Sequence, residues 1–112
     1  MKKTWDIWEI MAIKYLKEKW YIILETNFKF STIWEIDIIT KLDNLYIFFE
    51  VKYRQNDKYG IWEESINYYK KLKIKKTINY YCLKKKIDLE KARFDVIAIL
   101  WDKLNHHENV EI

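Results

Sequence analysis

Two runs of β-branched and aromatic residues, Ile33 to Thr40 and Leu45 to Tyr53, are separated only by the short segment Lys41 to Asn44. So short a link forces the runs into an antiparallel strand pair. Asp43-Asn44 supplies the turn chemistry. Side chains alternate faces along a strand. Strict alternation therefore puts Glu35 and Asp37 on one face of the first strand, with Ile36 and Ile38 on the other. On the second strand Glu50, Lys52 and Arg54 share a face, and Ile47, Phe49, Val51 and Tyr53 take the opposite one.

Carboxylates at the end of apolar strands need a partner, because an uncompensated buried charge is costly. Asp37 and Glu50, brought together on paired strands, have the oxygen chemistry of a site for a hard divalent cation. Lys52 follows Glu50 by two residues on the same face, where an ammonium can orient or activate a water or neutralise charge on a phosphate. The resulting pattern, D-x(12)-E-x-K, is that of a metal-dependent nuclease. By itself the spacing is permissive, and the plain alternative is a surface ion pair between Glu50 and Lys52 on a sheet edge.

The remaining chain supplies a scaffold for that pair. Asp6 to Lys19 reads as a helix, with Trp8, Met11, Ala12, Tyr15 and Leu16 in one apolar stripe and Thr4 or Asp6 as N-cap. Glu9 lies beside the stripe, either a flanking charge or a group reaching toward the end of the sheet. Tyr21 to Asn27 has strand character, with a polar break from Lys29 to Thr32. Gln55 to Gly60 is turn-like and holds the one glycine. A helix follows from about Ile61 to Cys82 or Lys85, carrying offset stripes of Trp62, Ile66 and Tyr69 and of Ile74, Ile78 and Tyr81. After the polar link Lys84 to Lys91, Arg93 to Trp101 is apolar almost throughout, as in a strand covered on both faces. Val110 and Ile112 suggest a short edge strand in the tail, and His106 and His107 read as surface residues. The order is helix, three strands, helix, strand. The long helical crossover lets the last strand run parallel to a neighbour, giving an α/β sandwich around a mixed sheet of four to five strands.

At 112 residues the chain fits one domain, spanning residues 1–112. No apolar run approaches the roughly 18 residues of a membrane span, and the N-terminus lacks the apolar core of a signal peptide, so no membrane partner and a cytoplasmic location are expected. The lone Cys82 has no partner for an internal disulfide, and zinc-like Cys/His spacing is absent. Net charge is +4. Lysines concentrate from Ser65 to Ile87, a segment without acids, which would attract a polyanion. A lysine-rich solvated helix face is the alternative.

With these residues in place, the chain resembles the YraN-like family (uncharacterised protein family 0102) of the PD-(D/E)XK restriction-endonuclease-like superfamily. The resemblance rests on Glu9, Ala12, Tyr15 and Leu16; on Tyr21 to Leu24 with Asn27; and on Glu35-Ile36-Asp37-Ile38-Ile39. It continues through Phe48-Phe49-Glu50-Val51-Lys52-Tyr53-Arg54, then Gly60, Glu64, Ser65, Ile66 and Lys70, then Arg93-Phe94-Asp95-Val96 with His107 and Asn109. It implies a restriction-endonuclease-like fold and a likeness to archaeal Holliday-junction resolvases. It also implies that Glu9, Asp37 and Glu50 converge as metal ligands, that Lys52 completes the catalytic set, and that Lys70 lies close by. Arg54 would contact a phosphate, or else pair with Glu25 or Asp37. The chain departs from the family by placing Trp8, Trp20 and Trp34 where the family carries glycine. Either local repacking leaves Trp8 and Trp34 to stack on bases, or the codons are UGA read as glycine in the source organism.

The leading expectation is a Mg²⁺- or Mn²⁺-dependent endodeoxyribonuclease acting on branched or repair-intermediate DNA. Lys70, Lys71, Lys73 and their neighbours up to Lys86 would grip the backbone without reading sequence. The alternatives are a nucleic-acid-binding protein without catalysis and a homodimeric scaffold using exposed aromatics as its interface.

Overall fold

The computed structural model describes residues 6–32, 34–54 and 68–112. Helix α1 (Ile7–Glu18) begins at Asp6, whose carboxylate accepts the Trp8 N–H at 2.8 Å. Of the two expected caps, Thr4 lies outside the described residues. The helix stops in a Schellman turn. Tyr21 N–H donates to Leu16 O and Trp20 N–H to Lys17 O, with Trp20 in the left-handed region at φ 73°.

Strands β1 (Ile22–Lys29), β2 (Glu35–Leu42) and β3 (Leu45–Arg54) form an antiparallel meander. The β2–β3 turn is the two residues Asp43 and Asn44, with Asp43 at φ 53°. A bulge at Leu24 shifts the β1–β2 register. Helix α2 (Tyr68–Lys85) then carries the chain back, and after a 3₁₀ turn (Leu89–Lys91) β4 (Ala92–Leu100) lies parallel to β3. β5 (Lys103–His107) closes the sheet in the order β1-β2-β3-β4-β5. The expected mixed sheet flanked by helices is therefore present.

Each face of the sheet has its own core. On one side Ala12 and Leu16 of α1 pack on Ile38, Ile47, Phe49, Ile97 and Ile99. On the other, Ile74, Ile78, Tyr81 and Cys82 of α2 pack on Ile36, Ile39, Phe48, Phe94 and Val96. Fully burying such a side chain contributes about 1.5–3 kcal/mol. Burial on both faces explains why β4 reads as continuously apolar.

Four expectations need correction. Ile36 and Ile38 do not share a face: Ile36 packs with Ile39 beneath α2, while Ile38 packs beneath α1, so the alternation breaks at Asp37. The last strand is Lys103–His107, and Val110 and Ile112 instead tuck into the core under α2, Val110 N–H bonding to Phe94 O at 2.7 Å. His106 is not a surface residue, because its ring closes a buried polar cluster. Tyr69 does not continue a buried stripe, being largely exposed at the first turn of α2. The Gln55–Gly60 turn, Trp62 and Ile66 lie outside the described residues.

Candidate functional site

The β2–β3 ladder ends at Ile38 opposite Phe49. One step further, the same register sets Asp37 against Glu50, and the Asp37 carboxylate accepts the Val51 N–H at 2.8 Å. On the other flank of β2, the pairs Thr26–Ile38 and Phe28–Ile36 place Asn27 across from Asp37. One row across three strands thus carries Asn27, Asp37 and Glu50. Glu9 enters from the first turn of α1 and is buried, with Asn27 Nδ2 donating to its Oε1 at 3.4 Å. Asn27 holds φ 51°, a conformation asparagine tolerates better than most residues.

Two ammonium groups complete the cluster. Lys70 Nζ, from the first turn of α2, stands 2.9 Å from Glu50 Oε2, and Lys52 Nζ stands 3.7 Å from the same oxygen. Glu50 is itself buried, so this is no surface ion pair on a sheet edge. Arg54 ends β3 near Lys52, and its charge is among those acting on that ammonium. Lys71 and Lys73 follow Lys70 on α2; the Glu50 ion pairs described are with Lys70 and Lys52.

The electrostatics follow from crowding like charges in a poorly solvated place. Burial, then the charge of Glu50 and a hydrogen bond between the two carboxyls, push Asp37 up to about 8, with Glu9 adding to the rise and the Val51 N–H opposing it. Burial, reinforced by the Lys70 ammonium, holds Lys52 below the usual lysine range. For Lys70 burial works against the charge, but Glu50 more than offsets it and the pKa is raised.

Carboxyls crowded until one retains its proton near neutrality are a donor set that a hard divalent cation would relieve. The residues therefore fit a metal by their chemistry. As they stand, with Glu50 drawn to Lys70 and Glu9 to Asn27, no three His, Cys, Asp or Glu among the described residues form a ready-made cage. Sequence reasoning brought Glu9, Asp37, Glu50, Lys52 and Lys70 forward, and the structure brings these five together. It did not give Asn27 a role; the signal available was an asparagine ending a strand beside the acidic one.

A second polar cluster, on the α1 side of the sheet, escaped the sequence. Asp95 is fully buried and receives Arg93 in a two-pronged contact of 2.9 and 2.8 Å, the Asn109 N–H at 2.9 Å and His106 Nε2 at 2.7 Å. Burial alone would raise the Asp95 pKa, but hydrogen bonds from His106, Arg93 and the Asn109 N–H outweigh it and hold the group below the usual carboxylate range. Tyr15 OH meets His106 Nδ1 at 2.9 Å, tying α1 to β5. This cluster fastens the tail and the outer strand to the sheet.

No helix among the described residues is long and apolar enough to cross a membrane. The sequence matches the Uncharacterised protein family UPF0102 over residues 8–99. A UPF0102 protein of Thermodesulfovibrio yellowstonii is 48% identical over 103 residues, covering 90% of this chain and 88% of the relative. One from Clostridium acetobutylicum is 43% identical over 108 residues, covering 96% and 85%, and one from Clostridium tetani is 40% identical over 111 residues, covering 99% and 90%.

Proposed function

The chain belongs to the Uncharacterised protein family UPF0102, and from that premise and the geometry of its acidic row we propose that it hydrolyses DNA phosphodiesters with a bound divalent cation. The observation that carries the reading is the Asp37 carboxylate set against the buried Glu50, one register step beyond the end of their ladder and beside two ammonium groups. The order of acids and lysine along β2 and β3 also resembles the PD-(D/E)XK nucleases, Holliday-junction resolvases among them. Asp37 and Glu50, with Glu9, would hold Mg²⁺ or Mn²⁺. When bound, such an ion polarises the scissile phosphate and lowers the pKa of water.

The remaining work falls to the protein's own groups. Lys52, its pKa lowered by burial, is suited to hold the attacking water and take its proton. Lys70, kept charged by Glu50, would offset negative charge growing on the phosphate. Asn27, donating to Glu9 Oε1, would help orient that carboxylate. Arg54 and the lysines further along α2 supply non-specific backbone grip.

Glu50→Ala, folded as judged by circular dichroism, is expected to lose Mg²⁺-dependent cleavage of branched or nicked DNA. Full activity in that variant refutes the assignment. One observation favours a second reading, nucleic-acid binding without catalysis: the 2.9 Å contact between Lys70 and Glu50 already neutralises the carboxylate a metal would need. That reading predicts salt-sensitive DNA binding indifferent to Mg²⁺.

A further inference from the structure

The core under α2 ends where Phe28 meets Tyr81 edge-on at 5.0 Å. Beyond it lies a second group of rings, half-buried and reaching the rim of the domain. Phe30 N–H bonds to Trp34 O at 2.9 Å and closes the β1–β2 connection. The Phe30 ring lies 4.1 Å from Tyr80, its plane inclined 30° to it, and 4.8 Å from Trp34. Phe30 remains 38% exposed. Tyr80 and Trp34 are half-buried behind it, so the stack reaches solvent at the rim of the domain through Phe30, where a partner with flat faces of its own can meet it.

The neighbouring charges indicate which partner. Lys76, Tyr80 and Lys84 follow one another at four-residue spacing and share one face of α2. Lys76 Nζ lies 5.6 Å from the Trp34 ring centre and Lys84 Nζ 6.0 Å from that of Tyr80. Cation, ring and cation thus alternate along the helix, each step rising about 6 Å. α2 carries seven lysines and no acid along its whole length. A ligand that repeats an anion and a planar ring along a flexible chain matches this surface in charge and in shape.

We propose that Phe30, Tyr80 and Trp34, with Lys76 and Lys84, bind single-stranded nucleic acid, bases stacking on the rings and phosphates meeting the lysines. The proposal deepens the nuclease reading by naming an unpaired strand as the substrate feature, and it rests on that reading only for what the strand is held for. Tyr80 sits ten residues beyond Lys70 on the same helix, about 15 Å along its axis. A strand lying on the rings could therefore present a phosphate a few nucleotides away to the acidic row.

The test is fluorescence anisotropy with a labelled oligothymidine and with a duplex of equal length, in wild type, Phe30→Leu, Tyr80→Leu and a Lys76→Gln/Lys84→Gln double variant. The leucine variants are expected to weaken single-strand binding about 5- to 100-fold while leaving duplex binding unchanged. The double lysine variant is expected to flatten the salt dependence of single-strand binding. Unchanged single-strand affinity in the leucine variants, or an equal loss for duplex, overturns the proposal. Should a leucine variant fail to fold by thermal melting, an unchanged salt slope in the lysine variant overturns it instead. Cleavage by Glu50→Ala is scored separately, so a failed platform and a failed active site give different results.

Discussion

The end of α1 offers a test in which the usual ranking of two residues should reverse. Trp20 occupies the position just past the helix cap, at φ 73°, and is 85% exposed. An L-residue in the left-handed region costs about 1–2 kcal/mol from crowding between Cβ and the carbonyl. Glycine escapes that cost but loses about 0.5–1 kcal/mol more backbone entropy on folding. Comparing Trp20→Gly with Trp20→Ala cancels the lost indole and leaves the backbone difference, about 0.5–1 kcal/mol in favour of glycine. For a domain of this size that corresponds to a melting temperature about 2–4 °C higher. Trp101, at φ 60° in the two-residue turn between β4 and β5, should behave alike. Trp8, inside α1, supplies the control, because alanine should there exceed glycine by about 1 kcal/mol. Differential scanning calorimetry of the six variants decides the matter. Alanine equal to or better than glycine at position 20 would refute the reasoning. Of the three tryptophans that stand where the family carries glycine, Trp20 has this backbone demand, in keeping with UGA codons at Trp8, Trp20 and Trp34; UGG codons there sink that idea.

Further consequences concern charge. Asp37 has a folded-state pKa raised from 3.8 to about 8, so the metal-free fold is favoured while the group is protonated. That stabilisation is complete below about pH 4 and is lost as pH rises toward about 8. Asp37→Asn should accordingly remove this part of the pH dependence and raise the metal-free melting temperature at pH 8; a steeper loss in the variant would contradict the assignment. Asp95→Ala strands the Arg93 guanidinium and His106 in a buried place and should cost about 3–5 kcal/mol in urea unfolding, a loss below about 1 kcal/mol being contrary to the network described. Asn27→Ala releases Glu9 and should weaken Mn²⁺ affinity by about tenfold or more, read by calorimetry, with no change counting against a positioning role.

The elements were legible because their patterns are local. The β2–β3 hairpin, the parallel β4 and the apolar stripe of α1 follow from residue periodicity and connection length. What escaped depended on contacts between distant segments. His106 reads as a tail residue until β5 pairs with β4 and turns it toward Asp95. The displacement of Ile36 relative to Ile38 arises where β2 leaves β3, and no alternation rule anticipates a ladder that ends. Asn27 matters through its register with Asp37 across β1 and β2, itself shifted by the bulge at Leu24. The acids and Lys52 were visible as types at a spacing, whereas the raised pKa of Asp37 follows from its burial and the nearby Glu50 charge.

Titration of Mn²⁺ and of Mg²⁺ by calorimetry into wild type and Asp37→Ala, at a pH just below 8 and in two buffers of different ionisation heat, tests the acidic row most directly. Saturable binding to the wild type with release of the Asp37 proton, and its loss in the variant, is the predicted result. Identical heats for the two proteins would contradict the account.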